Sequence, residues 1–415
     1  MDEHDSELYV QFETLASHAG LGMRVGDTMA TVAPIVASTT FTYDTIEGVH
    51  HALEPDGEGF AYSRNANPTV TALEAALALL EGADEVVAFG SGMAAVHAAL
   101  VGVGLQAGDI IVASSDLYGV TRSLLMHLQN FDIRTVFVDV RDIEIVERAL
   151  VQERARILYF ESMSNPLVRV SDTPRLAEIA RKQGAVSIID NTFATPYLLR
   201  PLAHGVDIVV HSATKFIAGH GDTVAGAVAT TRNFGSRIRS MRTLMGGVLS
   251  PFEAWLTMRG MRTLPVRMDR HCASALQVAE WLHEQPWVQA VYYPGLLHHS
   301  EHDLTLRQFD GKAGGLLSFE LRTDEASTLQ FMNSLQLITT GTSLGDVESL
   351  ALYPAMSSHR GLTETELDKL GIGKGLVRLS VGLEAPMDLI ADLQQAAARS
   401  VMKRLEPAGA NAEHP

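Results

Sequence analysis

Asp207-Ile-Val-Val-His-Ser-Ala-Thr-Lys-Phe-Ile-Ala-Gly-His-Gly221 is an apolar run that ends in two hydroxyls, a lysine and a glycine-rich turn. The run at 208–210 reads as a buried strand, because apolar residues stand on both of its faces. Ser212, Thr214 and Lys215 at its end make an anion pocket with an amine inside it. A lysine whose ammonium is partly desolvated, or lies near other cations, has a lowered pKa and can form a Schiff base. The plain alternative is a lysine snorkelling from a strand end, with the hydroxyls capping the turn.

Similar short apolar runs precede it at 85–89, 110–113, 134–138, 157–160 and 186–189. Most are separated by stretches of helical periodicity, such as 70–81, 143–151 and 173–183. Strands apolar on both faces, alternating with helices, predict an α/β fold with a mostly parallel sheet covered on both sides. In such sheets ligands sit at the carboxyl ends of the strands. That rule selects 91–93, 162–165, Asp190 and 212–215. After Arg259 the pattern changes to long helical stretches such as 269–284, with isolated strands at 315–321 and 376–382. We expect an irregular arm over 1–65, a large domain over 66–262 and a smaller α+β domain over 263–415.

Composition narrows the function. The chain has 415 residues, too many for one core of roughly 250–300 residues. Its 49 acidic and 32 basic residues give a net charge of −17, which argues against a general nucleic-acid surface. A single cysteine can make no internal disulfide and no cysteine-rich zinc site, as suits a reducing compartment. The acidic start, Met1-Asp-Glu-His-Asp5, is unlike a signal peptide, and the chain has no run of about 18 apolar residues. A cytoplasmic protein is expected, with a fraying Pro/Ala/Gly-rich tail over 406–415.

Several residues carry chemistry. Gly90-Ser-Gly-Met93 lies between a strand and a helix, where backbone N–H groups and the helix N-terminus can cradle a phosphate. A short Gly-x-Gly by itself is often only a tight turn. Asp190 ends a strand, where a carboxylate can face a buried cation or cap a helix. Tyr62 and Arg64 stand two apart in an extended-looking segment and could grip one anion from one face. Tyr118 could stack on a planar cofactor. Arg378 lies among apolar neighbours and needs an anionic partner. His298, His299 and His302 have metal-like spacing, but no metal site is expected. Cys272 reads as a small buried hydrophobe.

Together these motifs resemble the pyridoxal-phosphate enzymes of cysteine and methionine metabolism. The family includes cystathionine γ-synthases and γ-lyases, methionine γ-lyases and O-acylhomoserine sulfhydrylases. The resemblance runs from about Thr39 to Glu384. It rests on Tyr62-Ser-Arg-Asn-Ala-Asn-Pro-Thr69, Gly90-Ser-Gly-Met93, Asp190-Asn-Thr192, Ser212-Ala-Thr-Lys215, Ser343-Leu-Gly345 and Arg378-Leu-Ser-Val-Gly-Leu-Glu384. It implies an aspartate-aminotransferase-like fold of type I, with a mostly parallel seven-stranded-type sheet in the large domain.

It also implies pyridoxal 5′-phosphate as cofactor and a role for each motif residue. Lys215 would be the Schiff-base lysine and proton shuttle. Asp190 would keep the pyridine nitrogen protonated, and Tyr118 would stack on the ring and assist proton transfer. Gly92, Met93, Ser212 and Thr214 would hold the phosphate. Tyr62 and Arg64 would reach it from a neighbouring subunit of a homodimer or homotetramer. Asn165, Ser343 and Arg378 would hold the substrate carboxylate. The implied reaction removes the α-proton, then a β-proton, then the γ-substituent.

Specificity markers divide. Cystathionine γ-lyases typically carry Glu before Ser-Leu-Gly, where this chain has Thr342. Methionine γ-lyases typically carry Cys two residues after the stacking Tyr, where this chain has Val120. Ser343-Leu-Gly-Asp346 and Gly371-Ile-Gly-Lys-Gly-Leu-Val-Arg378 nevertheless look closer to methionine γ-lyases than to sulfhydrylases, which often carry Asn in place of Ser343, and the chain as a whole resembles methionine and cystathionine γ-lyases most. The expected activity is therefore γ-elimination on a sulfur amino acid, giving a thiol, α-ketobutyrate and ammonia. Cystathionine γ-lyase, γ-replacing sulfhydrylase or cystathionine γ-synthase activity is the enzymatic alternative. A cofactor-binding protein without turnover is the alternative of another class. Arg122 reads as a solvated charge, with selection of an acidic substrate as its alternative.

Overall fold

The structure, a computed structural model, describes residues 10–402 apart from 23, 55, 56 and 58. The acidic start and the tail expected to fray lie outside the described residues.

Seven strands form the large sheet. They are Glu85–Phe89 (β1), Ile110–Ser114 (β2), Arg134–Val138 (β3), Ile157–Glu161 (β4), Val186–Asp190 (β5), Ile208–His211 (β6) and Gly226–Thr230 (β7). Their order is β1-β7-β6-β5-β4-β2-β3. The neighbours β3, β2, β4, β5 and β6 are parallel, while β7 runs antiparallel to both β6 and β1. All six apolar runs read from the sequence are strands. The seventh, Gly-Ala-Val-Ala-Thr, escaped that reading because its small residues show neither a bulky apolar run nor alternation.

The sheet is covered on both faces. Within β4, Leu158 and Phe160 join one apolar cluster, and Ile157 and Tyr159 join the other. Each such fully buried side chain contributes about 1.5–3 kcal/mol. Helix Pro68–Glu81 covers one face and starts where its sequence says it must. The Asn67 side chain accepts from the Thr69 N–H at 3.0 Å, and Pro68 takes the first turn, where its missing N–H costs nothing. Helix Gly92–Gly102 covers the other face.

A second sheet comprises Val288–Tyr292 (β8), Leu316–Leu321 (β9), Thr339–Thr340 (β10), Leu350–Leu352 (β11) and Leu376–Ser380 (β12), in the order β8-β9-β12-β11-β10. The two strands read as isolated are in fact neighbours, with Ser318 opposite Arg378. This sheet has its own apolar cluster. Helix Leu264–His283 serves both cores: Leu264, Met268 and Cys272 pack into the first, Ala275, Val278 and Leu282 into the second. The N-terminal region carries more structure than expected, with helices Phe12–Ser17 and Ile46–Leu53 and a short hairpin pairing Arg24–Val25 with Thr28–Met29. No helix among the described residues is long and apolar enough to cross a membrane.

Candidate active site

The carboxyl ends of β1, β4, β5 and β6 open on a cleft of about 530 Å³. Lys215 stands in the turn after β6, pinned by bonds from its N–H to Ser212 O at 3.1 Å and from Gly219 N–H to its carbonyl at 2.8 Å. Its ammonium Nζ donates to Ser343 Oγ at 3.0 Å. Burial holds the amine below its ordinary pKa, the nearby Asp346 carboxylate opposes that, and the Arg378 charge reinforces it. A depressed amine in a cleft is what nucleophilic attack on a carbonyl needs.

The loop after Lys215 is fixed from behind by Arg267. Its guanidinium, almost fully buried, donates to Phe216 O at 2.6 Å, Ile217 O at 3.2 Å and Gly260 O at 2.8 Å. Gly219 must be glycine: its φ is +70°, and a Cβ would lie 2.0 Å from the Arg267 guanidinium.

The segments 90–93 and 212–214, expected to cradle a phosphate, meet at this cleft. Ser91 caps helix Gly92–Gly102, its Oγ accepting from Ala94 N–H at 3.1 Å. The first-turn N–H groups of such a helix have no intrahelical acceptor. Gly92 approaches the end of β6 so closely that a Cβ would lie 2.8 Å from Ser212 Cβ and 2.9 Å from its Oγ. Thr214 Oγ1 donates to Ala225 O at 3.1 Å. Gly92, Met93, Ser212 and Thr214 all line the cleft. This cradle, the amine of Lys215 and the strand-end carboxylate of Asp190 fit pyridoxal phosphate by charge and donor type.

Asp190 ends β5 and lines the cleft. Its Oδ1 accepts from Thr192 N–H at 3.0 Å, a local turn rather than a helix cap. Burial raises its pKa, against the hydrogen bonds from Thr192 and the charge of His211. Tyr118, 39% exposed, stands at the rim. Its N–H donates to Glu161 Oε1 at 2.7 Å. Glu161 lies directly beside Asp190 in register, and burial, then Asp190, pushes its carboxyl well above the usual range. Sequence reasoning missed Glu161 by one position: the strand-end rule selected the segment starting at Ser162.

Arg378 is 2% exposed, on β12. It donates to Asn165 Oδ1 at 3.1 Å and Ser343 O at 3.0 Å, while its buried Nε has no partner. Burial lowers its pKa to about 10, with Tyr118 opposing. Asn165 and Arg378 line the cleft, whereas Ser343 meets Lys215 through its hydroxyl and Arg378 through its carbonyl.

Two expectations change in form. Tyr62 to Arg64 is a turn after a bridge between Thr40 and Tyr62, not an extended run. The pair still shares a side, the Arg64 guanidinium lying 5.4 Å from the Tyr62 ring centre. Neither residue lines this chain's cleft. Arg122, read as solvated, is half-buried and sits 4.1 Å from the Phe137 ring centre. Val120 lies at the cleft rim, 47% exposed, and Thr342 lines the cleft too. Cys272 is buried, its thiol pushed up to about 11 by burial. The three histidines have separate partners: His298 stacks on His283 at 4.1 Å, His299 Nδ1 faces Glu301 at 3.3 Å, and His302 Nδ1 faces Pro294 O at 3.2 Å.

An amine at a strand end, facing a phosphate cradle and a carboxylate across a mostly parallel sheet, defines a fold-type I pyridoxal-phosphate enzyme. The chain belongs to the Cys/Met metabolism PLP-dependent enzyme family, whose sequence profile matches residues 13–398. It is 43% identical over 396 residues to an L-methionine gamma-lyase of Pseudomonas putida, covering 95% of this chain and 98% of that one. A cystathionine beta-lyase of Coxiella burnetii is 39% identical over 373 residues, covering 89% and 93% of the two chains. Among solved structures, cystathionine gamma synthase of Xanthomonas oryzae pv. oryzae, in complex with aminoacrylate and cysteine, superimposes with a TM-score of 0.88 at 36% identity. That match covers 94% of this chain and 98% of that one.

Proposed function

We propose that this enzyme is a carbon–sulfur lyase that eliminates the γ-substituent of a sulfur amino acid, as methionine γ-lyases do. The observation that carries the reading is a pair of basic groups, half-buried Lys215 and buried Arg378, both bonded to neutral Ser343 and both on one cleft. One is a nucleophilic amine and the other an anchor for a carboxylate, which together suit an α-amino acid.

The cofactor, when bound, supplies a conjugated electron sink that stabilises negative charge on the substrate carbons. Gly92, Met93, Ser212 and Thr214 hold its phosphate. Asp190 keeps negative charge against the ring nitrogen. Arg378 and Asn165 fix the substrate carboxylate, which points the Cα–H bond at Lys215. Lys215 Nζ takes that proton, and its depressed basicity keeps a neutral fraction available to do so. Tyr118, at the rim, assists proton transfer and departure of the sulfur. Tyr62 and Arg64 reach the phosphate site of a neighbouring subunit in a homodimer or homotetramer, a role supported by their exposure and their distance from this chain's own cleft. The enzyme acts in the cytoplasm, and its chain divides at about 65 and 262.

The holoenzyme given L-methionine should release methanethiol, 2-oxobutanoate and ammonia. Homocysteine formed from O-acetyl-L-homoserine and sulfide, with no thiol from methionine, would make it a γ-replacing enzyme. Strong preference for cystathionine would make it a cystathionine γ-lyase. No product from any of these would leave a cofactor-binding protein without turnover.

A further inference from the structure

Asn165 lies in a tight loop between β4 and helix Thr173–Lys182. An isolated bridge between Met163 and Val170 closes the loop, and Val168 turns it with a φ of +54°. Both neighbours of Asn165 are tied down. Ser164 N–H donates to Arg169 O at 2.9 Å, and Arg169 N–H returns a bond to Ser164 Oγ at 3.1 Å. On the other side, Ser318 Oγ donates to Pro166 O at 2.6 Å, and Ser318 stands opposite Arg378 in the second sheet.

The Arg169 side chain leaves this loop and meets two other segments. Its Nη1 donates to Asp116 Oδ2 at 2.6 Å, and its Nη2 donates to Leu370 O at 3.4 Å. Asp116 stands two residues before Tyr118, in the turn after β2, where its N–H donates to Ser114 Oγ at 3.2 Å. Leu370 ends helix Glu364–Leu370, and β12, which bears Arg378, begins at Leu376. The nearby acid Asp139 does not compete for Arg169, because Arg141 binds it through Nε at 2.9 Å and Nη2 at 2.6 Å. The side chains of Arg169 and Asp116 are 25% and 16% exposed, so water and salt screen this pair less than a surface pair. One side chain thus joins the segments that carry Tyr118 and Asn165 and the one that precedes Arg378. Misplacing groups that orient a reacting molecule by about 1 Å can cost roughly a hundredfold in rate.

Resting on the lyase reading above, we propose that Arg169 is a positioning residue: through Asp116, Ser164 and Leu370 it clasps the Tyr118 turn, the Asn165 loop and the approach to the Arg378 strand into one unit. Neither Arg169 nor Asp116 lines the cleft, so the pair acts on bound molecules only through the residues it holds. The carboxylate site and the ring of Tyr118 are then set together. Removing either charge of the pair loosens both.

The test is a double-variant cycle read by two equilibrium titrations. Pyridoxal 5′-phosphate added to the apo-protein reads the Tyr118 side, and L-norleucine added to the holoenzyme reads the Asn165 side. Asp116→Asn and Arg169→Met should each weaken both ligands by roughly threefold or more. The double variant should bind no more weakly than the weaker single variant, because two members of one pair are not independent. Arg169→Lys, which keeps a charge facing Asp116, should recover most of the loss. Asp116→Asn preserves shape, so it tests the pair even where Arg169→Met does not fold. Thermal unfolding alongside separates a merely structural pair, which would lower the midpoint and leave both affinities as they were. Unchanged affinities, an effect on one ligand alone, losses that add in the double variant, or Arg169→Lys as weak as Arg169→Met would overturn the clasp. L-Norleucine has no leaving group on its γ-carbon, so this result stands apart from turnover. If the cycle behaves as expected while no sulfur amino acid yields 2-oxobutanoate, the lyase reading fails and the clasp remains.

Discussion

The Arg378 guanidinium donates to the side-chain oxygen of Asn165 at 3.1 Å, and no carboxylate among the described residues pairs with it. A buried cation held only by neutral oxygens is poised for an incoming anion. Truncating one partner of a buried charge pair costs about 2–5 kcal/mol. Arg378→Gln should therefore lower kcat/KM for the amino-acid substrate by that amount, chiefly through KM. Asn165→Ala, which removes a neutral acceptor, should cost about 1–3 kcal/mol. Steady-state kinetics on both variants checks the order, and a larger effect at Asn165 would contradict it.

The basicity of Lys215 is set by burial first, then by Asp346 raising it and Arg378 lowering it. The sign follows for reconstitution of the apo-protein, which needs the neutral amine. Its rate should climb with pH below the ordinary lysine value of 10.5. Arg378→Met should move that profile to higher pH, and Asp346→Asn to lower pH. The folded state also binds fewer protons here than the unfolded chain. Stability should therefore rise with pH between the depressed value and 10.5. Stopped-flow reconstitution across pH measures the shifts, and movement in the reverse directions would refute the arrangement.

Gly92 faces Ser212 at the phosphate cradle, where a Cβ would lie 2.8 Å from the Ser212 side chain. Gly92→Ala should push these elements apart and weaken cofactor binding by roughly tenfold or more. Alanine is the better helix former by about 1 kcal/mol, so the fold itself should survive. Cofactor titration alongside thermal unfolding of the apo-protein separates the two effects. Unchanged cofactor affinity would remove Gly92 from the cradle.

Arg267 supplies donors to three carbonyls around the Lys215 turn. Arg267→Met removes those donors from a buried site, and each orphaned acceptor costs about 1–3 kcal/mol. Denaturant unfolding should show a loss of roughly 3 kcal/mol or more. A variant as stable as the parent would mean that water replaces the guanidinium.

Much of this was legible in the chain because each signal was local. The parallel strands are short runs apolar on both faces, and β4 is buried at every position. Asp190 ends a strand and Lys215 and Gly92 follow strand ends, so one topological rule found them. The residues that escaped depend on long-range placement. Arg360 reaches the cleft, and Asp346 acts on Lys215, from loops far along the chain with no periodicity to mark them. Glu161 is the last residue of its strand, and only its register beside Asp190 reveals two neighbouring carboxyls that act on each other. Arg122 looked solvated because an arginine in an amphipathic helix usually is; its place over Phe137 becomes visible only when β3 is packed.

The central claim is that Lys215 carries the cofactor at the end of β6. The most direct measurement is borohydride reduction of the holoenzyme, followed by digestion and mass spectrometry. The account predicts the pyridoxyl-phosphate mass on the peptide containing Lys215, and no visible cofactor absorbance in Lys215→Ala. The added mass on another lysine, or a Lys215→Ala protein that keeps the parent's absorbance, would contradict it.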